Sequence, residues 1–129
     1  VAGESQLVGY PTQYPDVTMI DWKDAKPNAR YWVLKLLKDN FGTGDKLVNT
    51  DVNSSQVVAQ AFITNKGKKL LLINKRNKDI QLELPAGIKD AEMFSVDGAS
   101  NENAPTQDHL TGTSITLKPF AVAVIEIKN

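Results

Sequence analysis

The chain has 129 residues, 41% of them hydrophobic, with 15 Lys plus Arg against 15 Asp plus Glu. Such a length and composition suit one packed domain, or one domain with a fragment of another. Zero net charge argues against a broad nucleic-acid footprint and a polybasic membrane patch, no apolar run approaches the ~18 residues of a membrane span, and the lack of cysteine excludes disulfides and thiolate chemistry.

Val1 opens the chain without a charged n-region or an apolar h-region, so the start reads as a mature or internal segment rather than a signal peptide. Residues 5–8 form a short candidate strand, and Pro11 and Pro15 bound a loop. Residues 17–22 alternate loosely and suit another short extended piece.

Residues 26–42, KPNARYWVLKLLKDNFG, read as one amphipathic helix. Ala29, Trp32, Val33, Leu36, Leu37 and Asn40/Phe41 recur at spacings of three and four, while Arg30, Lys35, Lys38 and Asp39 populate the other side. Pro27 suits the first helical position, where its missing N–H costs nothing. Asp24 is a candidate cap or dipole partner, and Gly42 and Gly44 are candidate stops.

After the helix the period changes to that of strands. Strands are expected near 46–52, 56–65, 68–76, 80–84, 91–95 and 114–127. Val57, Ala59, Ala61 and Ile63 form an apolar side opposite a mixed side of Val58, Gln60, Phe62 and Thr64. Residues 65–67, Asn-Lys-Gly, suit a hairpin turn. Pro119 interrupts the last run and suggests a bend that passes the chain from one sheet edge to another. Residues 96–112 read as one long polar surface loop. The expected fold is mainly β: an antiparallel sandwich of about six to eight strands with one N-terminal amphipathic helix. The expected division is 1–44 as the helix-bearing segment and 45–129 as the sandwich.

The segments PNARYWVLKLLKDNFGTGDKLV, GKKLLLINKRN and TSITLKPFAVAVIEI together resemble the C-terminal end of clan-A glycoside hydrolases, in particular a family 39-like group. In such enzymes a (β/α)8 barrel ends in its eighth strand and helix, and the chain then enters a small accessory β-sandwich. The resemblance implies that residues 5–8 correspond to the eighth strand, 28–41 to the eighth helix and 46–127 to the sandwich. It implies no catalytic residue, because the family's two glutamates sit at the ends of the fourth and seventh barrel strands. It implies a catalytic barrel as partner, in cis or in trans, and a secreted or periplasmic location. A free-standing module that binds carbohydrate or protein is the alternative, in which the helix packs on its own sandwich. An uncovered helix face would instead drive homo-oligomers.

Candidate contacts to a polysaccharide or oligosaccharide are Tyr10, Gln13, Tyr14 and Trp22, because aromatic faces stack on sugar rings and amides bond hydroxyls. The plainer reading is a packed loop. Glu4, with Asp16 or Asp21, is the only local carboxylate pair, against an ordinary solvated carboxylate. Trp32 reads as core and Tyr31 as rim. His109 follows Asp108, yet no nucleophile turn accompanies it, so it reads as a surface histidine. Asp97, Asn101, Glu102, Asn103 and Asp108 cluster, as do Asp45, Asn49, Asp51 and Asn53, but neither set has the rhythm of a calcium loop. No metal or cofactor is expected. Lys66, Lys68, Lys69, Lys75, Arg76 and Lys78 read as solvated hairpin tips that discourage edge pairing.

Overall fold

The computed structural model describes Leu7, residues 18–88 and residues 90–127. Among these residues one helix, α1 (Ala29–Asn40), precedes eight strands. These are β1 (Lys46–Val48), β2 (Val57–Thr64), β3 (Gly67–Asn74), β4 (Ile80–Glu83), β5 (Ala91–Val96), β6 (Thr106–Leu110), β7 (Ser114–Leu117) and β8 (Val122–Ile127). Six strands form one sheet in the order β1-β2-β3-β8-β5-β6, and β4 pairs with β7 in a second. Every pairing is antiparallel.

The two sheets enclose the main core. Leu70, Leu72, Met93, Ala123 and Ile125 from the larger sheet pack with Ile115 and Leu117 of β7 and with Leu84. Ala91 and Ala123 are fully buried, small side chains where the layers come close. Pro119 lies in the bend between β7 and β8, and the chain changes sheets there, as its position in the sequence suggested.

The helix forms a third layer on the opposite face of the larger sheet. Leu36 packs with Val96 and Val124, and Ala29, Trp32, Val33 and Phe41 complete this second core with Leu71 and Phe94. The Phe41 and Phe62 rings lie 4.3 Å apart, joining the helix end to β2. Thus β3, β5 and β8 send alternate residues into two cores. Covered on both faces, β3 and β8 read as near-continuous apolar runs rather than alternations.

The helix ends differ from the sequence expectation. Asn28, not Asp24 or Pro27, is the N-cap, and its side-chain oxygen accepts from the Tyr31 N–H at 3.3 Å. Its amide nitrogen donates to the Thr18 carbonyl at 2.6 Å, which ties the cap to the preceding segment. Pro27 stands outside the helix, in an isolated bridge with Ile20. At the other end Phe41 is extended, with φ −131° and ψ 147°, so no left-handed glycine closes the helix. The Gly42 N–H donates instead to Asp45 Oδ2 at 2.8 Å.

The expected loop over 96–112 contains β6, which pairs with β5 at the sheet edge. The expected strand at 46–52 shortens to Lys46–Val48, and the run at 114–127 divides at Pro119 into β7 and β8, as the proline led one to expect.

Candidate functional site

Two concavities flank α1. On its outer side, Tyr31 and Leu34 are half-buried and line a groove of about 270 Å³ with Met19 and Leu7. Leu7 is exposed, and its carbonyl accepts from the Ile20 N–H at 2.9 Å. The helix therefore carries two apolar surfaces. Trp32, Val33 and Leu36 are spent on its own sheet, and among the described residues the half-buried Tyr31 and Leu34 line this groove, whose other walls include Lys35, Lys38 and Asp39.

Between α1 and the β5–β6 side of the sheet lies a cleft of about 340 Å³. Trp32, Phe94 and Pro105 give it apolar walls. The Trp32 Nε1–H donates to the Glu102 carbonyl at 2.8 Å, which fixes the indole, and Tyr31 meets the ring edge-on at 5.2 Å. The polar side is built from ion pairs. Lys69 Nζ contacts Glu126 Oε1 at 2.6 Å and Asn40 Oδ1 at 2.5 Å. Lys35 Nζ contacts Asp39 Oδ2 at 2.6 Å, one helical turn apart. That ammonium's hydrogen bond holds the Asp39 carboxyl below its ordinary range, and the carboxylate in turn raises Lys35.

Lys69 corrects the expectation of a solvated basic tip: its side chain is 3% exposed. The cause is non-local. Lys69 stands opposite Glu126 in the β3–β8 register, and the C-terminal turn of α1 supplies Asn40 above it. A lysine flanked by Lys68 and Leu70 carries that information only once the pairing is known.

Of the candidate sugar contacts, Tyr10, Gln13 and Tyr14 lie outside the described residues. Trp22 is half exposed in a turn over residues 21–25, with Lys23 Nζ 5.7 Å from its ring. Next to it, Lys26 bridges Asp24 at 3.1 Å and Glu102 at 3.2 Å. The Lys26 backbone N–H, and then its ammonium, lower the Asp24 carboxyl, while the two carboxylates raise Lys26. With the Trp32 indole bond, this pins the loop after β5 to the start of the helix.

Glu4 and Asp16 also lie outside the described residues. Asp21 accepts the Lys23 N–H at 2.7 Å and serves its own turn. His109 sits on β6, its Nδ1 2.8 Å from Glu92 and its Nε2 3.0 Å from Asp90. Among the described residues no cluster of His, Cys, Asp or Glu could hold a metal ion. Asp97 is occupied with its turn, accepting from the Ala99 N–H at 2.8 Å. No helix among them is long and apolar enough to cross a membrane.

Residues 54–125 match the family described as D-apionate lactonase, C-terminal immunoglobulin-like domain. No curated protein matches the chain. Among solved structures, the catalytic domain of GH30 xylanase C from Talaromyces cellulolyticus is similar with a TM-score of 0.70 and 14% identity, over 88% of this chain and 28% of that one. The glycoside hydrolase family 30 subfamily 8 xylanase from Clostridium acetobutylicum gives 0.65 and 14%, over 84% and 30%. A GH30 endoxylanase from Clostridium papyrosolvens C71 gives 0.56 and 18%, over 75% and 27%. At these identities the likeness is one of fold, and the chain spans less than a third of each of these structures.

Proposed function

The chain belongs to the family of D-apionate lactonase C-terminal immunoglobulin-like domains, and from that premise we propose that it is the accessory β-sandwich portion of a glycoside hydrolase. Its role is structural: it supports a catalytic barrel and supplies none of the catalytic carboxylates. The observation that carries this is the divided helix. One side of α1 is buried on the sandwich, and the other presents Tyr31 and Leu34 beside Met19 and Leu7. A helix that belonged to the sandwich alone would need a single apolar stripe. One shared between two layers needs two, as a barrel's last helix would. The fold likeness to family 30 enzymes supports the barrel as the second layer. The finer placement, nearer to family 39, rests on the quoted sequence segments. A secreted or periplasmic location follows from the usual substrates of such enzymes.

The test is the solution state of the purified chain. An uncovered docking groove makes it self-associate and bind an apolar dye, and Leu34→Glu restores a monomer without lowering the melting temperature. A wild-type monomer that binds no dye would sink the docking role.

A second reading, a free-standing carbohydrate-binding module, is favoured by the packing of α1 on its own sheet, which that reading expects, and by the exposed Trp22 in its turn. Affinity electrophoresis against plant and bacterial polysaccharides checks it. Retardation by one glycan, lost in Tyr10→Ala, Tyr14→Ala or Trp22→Ala, supports that loop as the site. No retardation removes it.

A further inference from the structure

We infer that the cleft between α1 and the β5–β6 side of the sheet is a binding site for a neutral saccharide, sized for one or two pyranose rings. Its volume of about 340 Å³ lies at the lower end of small-molecule sites, which run from roughly 300 Å³ upward.

The chemistry of the lining selects the class. Four of its five charges are paired, Lys69 with Glu126 and Lys35 with Asp39, and Lys66 Nζ donates to the Asp39 backbone carbonyl at 3.3 Å. An anion entering here meets two carboxylates, and a cation meets three ammonium groups, since Lys66 also reaches the site. A purely apolar ligand would strip water from ion pairs without replacing its hydrogen bonds. A ring bearing hydroxyls does replace them. Each carboxylate uses one oxygen on its lysine, leaving Glu126 Oε2 and Asp39 Oδ1 without a protein partner among the described residues. These oxygens accept from hydroxyls, and the lysine ammonium groups donate to them. The Trp32 and Phe94 rings offer the apolar surface that the C–H face of a sugar needs. Trp32 is held by Glu102 before any ligand arrives, which reduces the ordering cost of binding.

Choosing saccharides as probes draws on the carbohydrate-associated reading above. The cleft and the docking groove share Lys35 and Asp39, but Lys66, Trp32 and Phe94 line the cleft alone and Leu34 the groove alone, so the two readings fail separately. Self-association reports on the groove, and ligand shifts report on the cleft.

The experiment is a titration of the isotopically labelled chain with xylohexaose, cellohexaose and laminarihexaose, followed by amide and indole chemical shifts. The expected result is a saturable shift with at least one of them, centred on the Trp32 indole and the Phe94 and Lys69 amides. Asp39→Ala and Lys66→Ala, both on exposed side chains, should each weaken it about fivefold, the loss of one hydrogen bond. Lys66→Ala should melt at the wild-type temperature, and Asp39→Ala, which also loses the exposed pair with Lys35, only slightly below it. The inference is overturned if no signal moves at millimolar sugar, if the shifts centre on Trp22, or if both variants bind as the wild type does.

Discussion

Lys69 and Glu126 face each other across β3 and β8, 2.6 Å apart at their charged atoms, yet one is buried and the other half exposed. That asymmetry predicts unequal losses. Glu126→Ala leaves a buried ammonium with only Asn40 beside it and should cost about 3 kcal/mol. Lys69→Met keeps the apolar stem and leaves a carboxylate that water can reach, so it should cost about 1 kcal/mol or less. Urea denaturation of the two variants checks the order. Equal losses would mean that Glu126 is more buried than its geometry indicates.

Leu36 and Leu34 separate the two faces of α1. Leu36 is 4% exposed and packs on Val96 and Val124. Leu36→Ala should cost roughly 2–5 kcal/mol through lost burial and a cavity. Leu34 lines the open groove instead, and Leu34→Ala should cost under about 1 kcal/mol in the isolated chain. Thermal melts distinguish them, and a reversed order would place the wrong face against the sheet.

The Lys35–Asp39 pair carries a pH signature. Asp39 titrates below its ordinary value in the folded chain, so its contribution is present above that ordinary value and fades as pH falls through the folded one. Lys35 titrates above its ordinary value, so its contribution is present below that value and fades as pH rises through the folded one. The melting temperature of Asp39→Asn should therefore fall slightly below wild type at neutral pH. The gap should close in strong acid and in high salt, because both side chains are exposed and screened. A gap that persists in acid would point to a helix effect of the substitution instead.

The helix, the hairpin at residues 65–67 and the break at Pro119 were legible because each is signalled by neighbours in sequence. Period, turn residues and proline act locally. β6 was not legible, since its five residues are almost wholly exposed at the sheet edge and show no alternation between a dry and a wet face. The cap was misplaced for a related reason. Asn28 wins over Asp24 because the Thr18 carbonyl holds its side chain, a contact across ten residues. In the sequence the cleft was visible only as Trp32, assigned to core. Its polar side needs the β3–β8 register and the helix end together, and neither is written in the residues around Lys69.

Asn74 supplies the last prediction, because it joins the two sheets at one end. Its side chain is 1% exposed, and its amide nitrogen donates to the carbonyls of Lys78 and Lys118 at 2.8 Å each. Its side-chain oxygen accepts from the Arg76 N–H at 2.8 Å, and its own N–H donates to the Ala121 carbonyl at 2.9 Å. One residue thus ties the end of β3 to the turn before β4 and to the bend between β7 and β8. Asn74→Ala takes the side-chain partner from the Lys78 carbonyl and from the Arg76 N–H, while the Lys118 carbonyl keeps the Ala121 N–H, and should cost roughly 2–3 kcal/mol. Asn74→Asp keeps the shape but turns a donor into an acceptor facing those carbonyls. It should cost more than the alanine variant at neutral pH and recover part of the loss in acid, where the protonated carboxyl donates once again. Denaturation at both pH values reads the effect. An aspartate variant as stable as wild type at neutral pH would show that these bonds do not hold the sheets together.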